Sequence, residues 1–187
     1  MSDHIQGFLE EHRRDFDRGY VQVYTGDGKG KTTAAIGLAV RAAGAGLRVY
    51  LAQFIKSEPY SEITGLECLG DRITCRQFGR GCWLRGEPAE EDRRLAREAM
   101  ATVGEILRAG EYEVVILDEI NVATHFGLVD VAAVLTLLDE RPERVELVLT
   151  GRRADPRVIE RADLVTEMVE RKHYYQQGVL ARTGIES

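Results

Sequence analysis

The sequence has little of what would mark a secreted, membrane-bound or nucleic-acid-binding chain. Its three cysteines, Cys68, Cys75 and Cys82, are odd in number and lack the close pairs of a structural zinc site, so a disulfide framework is excluded and reduced thiols are expected. Prolines number only four; with 44% apolar and 30% charged residues, that excludes a disordered chain. No apolar run approaches the roughly 20 residues of a membrane span. The opening stretch, MSDHIQGFLEEHRRDF, is charged where a secretion signal would be apolar, so no membrane contact and a cytoplasmic location are expected. Positive charge is not in excess either. The formal charge is −6 with no basic block, which argues against a nucleic-acid partner. The four histidines do not cluster, with His4 and His12 near the N-terminus, His125 in an expected loop and His173 near the end, so no imidazole metal site is expected.

What is present is an alternation of strand and helix signals over 187 residues, a length suited to one core. Tyr20–Tyr24 is a β-branched and aromatic run that enters the glycine-rich Thr25-Gly-Asp-Gly-Lys-Gly-Lys-Thr-Thr33. An alanine-rich helical stretch closes at Gly44 and Gly46 before a second strand, Arg48 to Ile55. A loop rich in turn residues, a strand Ile73 to Phe78 and a glycine-punctuated segment 79–86 follow. Pro88 then opens a helix with an acidic first turn, an apolar stripe of Leu95, Ala99, Val103 and Ile106, and an end near Gly110. Val114–Leu117 and Val145–Leu149 are continuous apolar runs, the pattern of buried parallel strands. Helices are expected over Val131–Leu138 and after the Asp155-Pro156 cap, and a last strand over Leu164–Val169. The fold class is therefore α/β, a mostly parallel sheet flanked by helices. Residues 1–19 stand outside it as a helical arm with Ile5, Phe8, Leu9 and Phe16 on one face, and 20–187 form the nucleotide-binding domain.

Three glycines, Gly26, Gly28 and Gly30, followed by Lys31-Thr32 at a strand-to-helix turn, let backbone N–H groups converge on an anion beside a helix N-terminus. Lys31 would neutralise phosphate, and the Thr32 hydroxyl is suited to ligate a magnesium ion. The loop departs from the Walker A pattern Gly-x-x-x-x-Gly-Lys, because Thr25 stands where its first glycine belongs. Asp118 and Glu119 end a buried strand at the sheet edge where phosphates sit, so one or both are expected to hold the metal. These residues alone fit a P-loop ATPase or kinase, or an ATP-dependent switch or binding module, as well as a transferase.

More specific is the set formed by Thr25–Ala35 (TGDGKGKTTAA), Arg41, Gln53-Phe-Ile-Lys56, Leu117-Asp-Glu119, Thr150-Gly-Arg152, Lys172-His173, Gly178-Val179 and Gly184-Ile185. It resembles the cobalamin-pathway ATP:corrinoid adenosyltransferases over nearly the whole chain, shortened glycine loop included. The resemblance implies a RecA-like P-loop domain, a homodimer, and transfer of the adenosyl group of ATP to Co(I) of a corrinoid with release of triphosphate. It also implies ATP held in reverse along the loop. It implies as well that the corrinoid acceptor is cobalamin or cobyrinic acid a,c-diamide, that an electron-donating reductase is a partner, and that the ion is Mg2+ or Mn2+.

The same resemblance assigns catalysis to Lys31 and Glu119, metal ligation to Thr32 and Glu119 with Asp118 beside them, and nucleotide contacts to Gly26, Asp27, Gly28, Lys29, Gly30, Lys31, Thr32, Thr33 and Arg41. Lys56 and Arg152 are further candidates for the corrinoid-binding or gating side, with solvated surface cations as the other reading, and His173 is a candidate for contact with nucleotide or corrinoid. Relatives use bulky residues to keep the lower cobalt face free of ligand. Many carry Gly-Phe-Thr-Trp where this chain has Gly81-Cys82-Trp83, so Trp83 aligns, and Phe78 or Cys82 would replace the missing phenylalanine. Trp83 as core packing remains the other reading. The N-terminal helix is implied to close over the corrinoid site of the dimer partner, with docking on its own subunit or fraying as a disordered tail as the alternatives.

Overall fold

A computed structural model describes residues 16–57, 60–81 and 87–186. Six strands, β1 (Val21–Thr25), β2 (Val49–Ile55), β3 (Ile73–Gly79), β4 (Val114–Asp118), β5 (Glu146–Thr150) and β6 (Leu164–Glu167), form one sheet in the order β3-β2-β4-β5-β1-β6. Every pairing is parallel, so the sheet is wholly rather than mostly parallel. Its helices are α1 (Lys31–Gly44), α2 (Ser61–Glu67), α3 (Glu90–Ala109), α4 (Ile120–His125), α5 (Val131–Glu140) and α6 (Pro156–Arg161).

The apolar runs of β4 and β5 are buried throughout, as strands covered on both faces must be. Alternation along each strand divides the core in two. Val115, Leu117, Leu147, Leu149, Tyr50 and Phe54 join the cluster beneath α3 and α5, whereas Val114, Ile116, Val148, Val49 and Leu51 join Ala35, Ala39 and Ala42 of α1. Phe16, the one described member of the expected N-terminal apolar face, packs against this α1-side cluster. The remainder of that expected helix, residues 1–15, and the Cys82-Trp83 pair lie outside the described residues.

Helix α3 begins with Glu90, Glu91 and Asp92 in its first turn, where negative charge is favoured, and closes at Gly110 with φ 64°. Its buried line runs through Ala96, Ala99, Val103 and Leu107. Ala99 and Val103 of the expected stripe are fully buried, whereas Leu95 and Ile106 are half-buried and their neighbours Ala96 and Leu107 take the buried places. The loop expected between β2 and β3 contains α2, a helix of seven residues with Leu66 as its one buried side chain. His125, expected in a loop, ends α4.

Candidate active site

The C-terminal ends of β1, β2, β4 and β5 meet along one sheet edge, and the chemistry-bearing residues lie there. The glycine loop leaves β1 and enters α1 at Lys31. Gly26 has φ 92°, and a Cβ there would lie 2.5 Å from the Met168 carbonyl oxygen. At Gly28 the same oxygen would be 2.7 Å away, and the Gly28 N–H donates to it at 2.6 Å. The segment after β6 therefore demands these glycines for packing, independently of any phosphate.

Lys31 is buried, and its ammonium donates to the carbonyls of Gly26 at 2.8 Å and Gly28 at 2.6 Å. Burial above all, with Arg152 nearby, pulls its pKa below the usual lysine value, against Glu119, Asp27 and Asp118. Lys29 reaches the Ile185 carbonyl at 3.0 Å, tying the loop to the C-terminal segment.

Asp118 is the centre of the arrangement and has no exposed surface. Its Oδ1 accepts the hydroxyls of Thr32 at 2.9 Å and Thr150 at 2.7 Å. Its Oδ2 accepts the Lys56 ammonium at 2.9 Å and the Gln53 amide at 3.2 Å. Burial opposes the charge on Lys56, but Asp118, by charge and hydrogen bond, with Glu62 and Glu119, outweighs it and raises that pKa.

Glu119 adopts φ 63°, and its N–H donates to Thr150 Oγ1 at 3.0 Å. Burial first, then Asp118, push its carboxyl above the ordinary value, with Lys56, Lys31 and Arg152 pulling the other way. Left-handed backbone recurs along this edge. Ile55 (φ 68°) ends β2, Glu119 follows β4 and Arg153 (φ 58°) follows β5, and these are the non-glycine positions of positive φ among the described residues. Each costs on the order of 1–3 kcal/mol, the kind of strain that gathers where side chains must be aimed.

Lys31, Thr32, Asp118, Glu119 and Lys56 are thus brought together. Arg152 lies at the rim, 4.0 Å from exposed Asp27, while Thr33 is exposed on the first turn of α1. Arg41 is on the last turn of α1, roughly 15 Å along the helix from Lys31 at 1.5 Å per residue. His173 caps the short 3₁₀ turn Tyr174–Gln177, accepting the Tyr175 N–H at 3.1 Å. Phe78 is core, buried against Phe54 with a centroid distance of 6.4 Å, so its ring is not presented to a ligand. The sequence reading did not single out Gln53 or Thr150 as site residues. Both stood in the matched segments Gln53–Lys56 and Thr150–Arg152 without a role assigned, and each is a polar residue in or ending an apolar strand that proves fully buried.

A glycine loop between a strand and a helix, with a buried aspartate at the end of a strand two places away, defines an α/β protein of the P-loop nucleotide-binding type. Residues 17–187 match the family described as ATP:corrinoid adenosyltransferase BtuR/CobO/CobP, and the chain belongs to that family. A corrinoid adenosyltransferase from Pseudomonas aeruginosa is 34% identical over 174 residues, 91% of this chain and 84% of that protein. One from Sinorhizobium is 36% identical over 173 residues, covering 91% and 81% respectively. Corrinoid adenosyltransferase CobA of Salmonella typhimurium is 32% identical over 171 residues, covering 91% and 86%. Among solved structures, domain III of the Thermotoga maritima replication initiation protein DnaA is similar with a TM-score of 0.40 and 14% identity, covering 88% of this chain and 60% of that one.

Proposed function

We infer that the protein transfers the 5′-deoxyadenosyl group of ATP to Co(I) of a corrinoid in cobalamin biosynthesis, with triphosphate as the second product. The observation that carries this is the family match over residues 17–187, in a chain whose glycine loop and buried acid meet at one sheet edge. A Co(I) lone pair attacks C5′, the cobalt–carbon bond forms as the C5′–O bond breaks, and the electron pair leaves with triphosphate while cobalt becomes formally Co(III). So strong a nucleophile needs no general base. The protein's work is to hold C5′ in line and to stabilise charge on the departing group.

Lys31 suits the second task. Its ammonium is held by loop carbonyls, and phosphate oxygens would replace them; Lys29 would exchange the Ile185 carbonyl in the same way. Backbone donors of the loop and of Thr33 add to the cradle. Arg41, Asp27 and Arg152 belong to the wider nucleotide environment in this reading, and Lys56, His173, Cys82 and Trp83 to the corrinoid side.

A divalent cation, Mg2+ or Mn2+, fits the donors present. Thr32 gives its proton to Asp118, which leaves its oxygen lone pairs free, and the Glu119 carboxyl beside it is a hard oxygen donor of the kind such a cation prefers. Thr32 and Glu119 would hold the ion, while Asp118, whose four acceptor positions are taken, would orient Thr32. When bound, the ion neutralises phosphate charge. A homodimer in the cytoplasm, an N-terminal arm closing over a corrinoid, and an electron-donating reductase complete the proposal. Incubation with ATP, Mg2+ and a chemically reduced corrinoid, followed by phosphorus NMR, tests it. Triphosphate with adenosylated corrinoid is expected; ADP or orthophosphate would instead indicate an ATPase or kinase.

A further inference from the structure

Three residues at one register cross the sheet from β3 to β4: Gln77 pairs with Gln53, and Gln53 with Asp118. Their side chains form a chain of hydrogen bonds. Gln77 Nε2 donates to Gln53 Oε1 at 2.9 Å, and Gln53 Nε2 donates to Asp118 Oδ2 at 3.2 Å. Chemistry fixes the direction of this relay. An ionised carboxylate only accepts, so Gln53 must turn its NH2 to Asp118 and its carbonyl to Gln77, which must then answer with an NH2.

Gln53 is fully buried in a strand otherwise made of apolar side chains, Val-Tyr-Leu-Ala-Gln-Phe-Ile. A primary amide there is tolerated only because both ends are bonded. Its effect falls on Asp118. With Gln53 and Lys56 on Oδ2, the carboxylate plane is fixed, and Oδ1 faces the hydroxyls of Thr32 and Thr150. The Thr32 proton is thereby directed inward and its lone pairs outward.

We propose that Gln53, itself aligned by Gln77, is a positioning residue that locks Asp118 and so orients Thr32 toward the cation of bound Mg2+·ATP. The proposal rests on the nucleotide–metal reading above and extends it two strands away, to the edge of the sheet. Gln53→Met keeps length and volume while deleting both hydrogen bonds. Titration calorimetry of ATP binding across a Mg2+ series reads the effect without any corrinoid turnover. Half-saturation by Mg2+ should rise about tenfold in the variant, the equivalent of one hydrogen bond to a charged group. ATP affinity without Mg2+ should not change.

Gln77→Leu, at the half-buried end of the relay, should produce a smaller shift of the same sign, and the double variant should shift no further than Gln53→Met alone. A role in folding alone would lower Tm and leave the Mg2+ dependence where it was, which would overturn the proposal. Additive shifts in the double variant would overturn it too. ATP binding by the wild-type protein that ignores Mg2+ would overturn the nucleotide–metal reading and this proposal together; a normal wild-type response matched by both variants overturns this proposal alone.

Discussion

Replacing Asp118 by Asn keeps its shape and removes one charge, and the four donors around it dictate the consequence. Lys56 can only donate to Oδ2, so the new carbonyl must face it, with the Gln53 amide beside it, and the new NH2 must face Thr32 and Thr150. Both hydroxyls then become acceptors. Thr32 turns its proton outward, toward the position where a cation needs lone pairs, and Lys56 loses its buried counter-charge. Removing one partner of a buried pair costs roughly 3–5 kcal/mol. The low end applies here, because a carbonyl still meets Lys56 and Glu62 stands 3.7 Å away. For a chain of 187 residues, about 3 kcal/mol corresponds to a Tm lower by roughly 6–12 °C. Thermal unfolding followed by circular dichroism reads it. Asp118→Asn combined with Lys56→Met should lose less than the sum of the two single variants, since each single change strands the other's partner. A Tm within about 2 °C of wild type, or strictly additive losses, would refute the reasoning.

Lys31→Ala should lower adenosyl transfer by orders of magnitude, because the loop would release a highly charged triphosphate without its ammonium; steady-state rates near those of wild type would remove Lys31 from the site. Glu119 has a carboxyl pKa raised mainly by burial and next by Asp118, so the folded protein retains a proton there that the unfolded chain has already released. Metal-free stability should therefore fall as pH rises from the ordinary glutamate value through the raised one, and Glu119→Gln should flatten that fall; parallel Tm curves for the two proteins would contradict this. The Cys75 thiol is pushed up to about 12, by burial first and then by Asp118 and Glu62, whereas Cys68 is exposed. In a Cys82→Ser background at pH 8, a maleimide reagent should modify Cys68 rapidly and Cys75 slowly, and equal rates by mass spectrometry would refute the burial argument.

The strand-loop-helix unit around Lys31 was legible because it is local: the glycine spacing, the helical period after it and the apolar run before it all lie in one stretch of chain. Asp118 and Glu119 were legible for the same reason, at the end of a run whose four aliphatic residues mark a buried strand. What surrounds Asp118 was not. Thr32 of α1, Gln53 and Lys56 at the end of β2, and Thr150 of β5 meet only because the strand order places β4 between β2 and β5, and a single polar residue in an apolar run does not name its partner. Helix α2 was missed because seven residues with one buried side chain carry no period. The glycines of the loop were ascribed to phosphate alone, whereas Met168, some 140 residues further along, requires two of them.

The central claim is that carbon, not phosphorus, is the atom transferred, and ATP carrying carbon-13 at C5′ addresses it directly. After incubation with Mg2+ and a chemically reduced corrinoid, carbon NMR should find the label bonded to cobalt in the corrinoid, with unlabelled inorganic triphosphate released. Label remaining wholly in ADP, AMP or ATP would contradict the account.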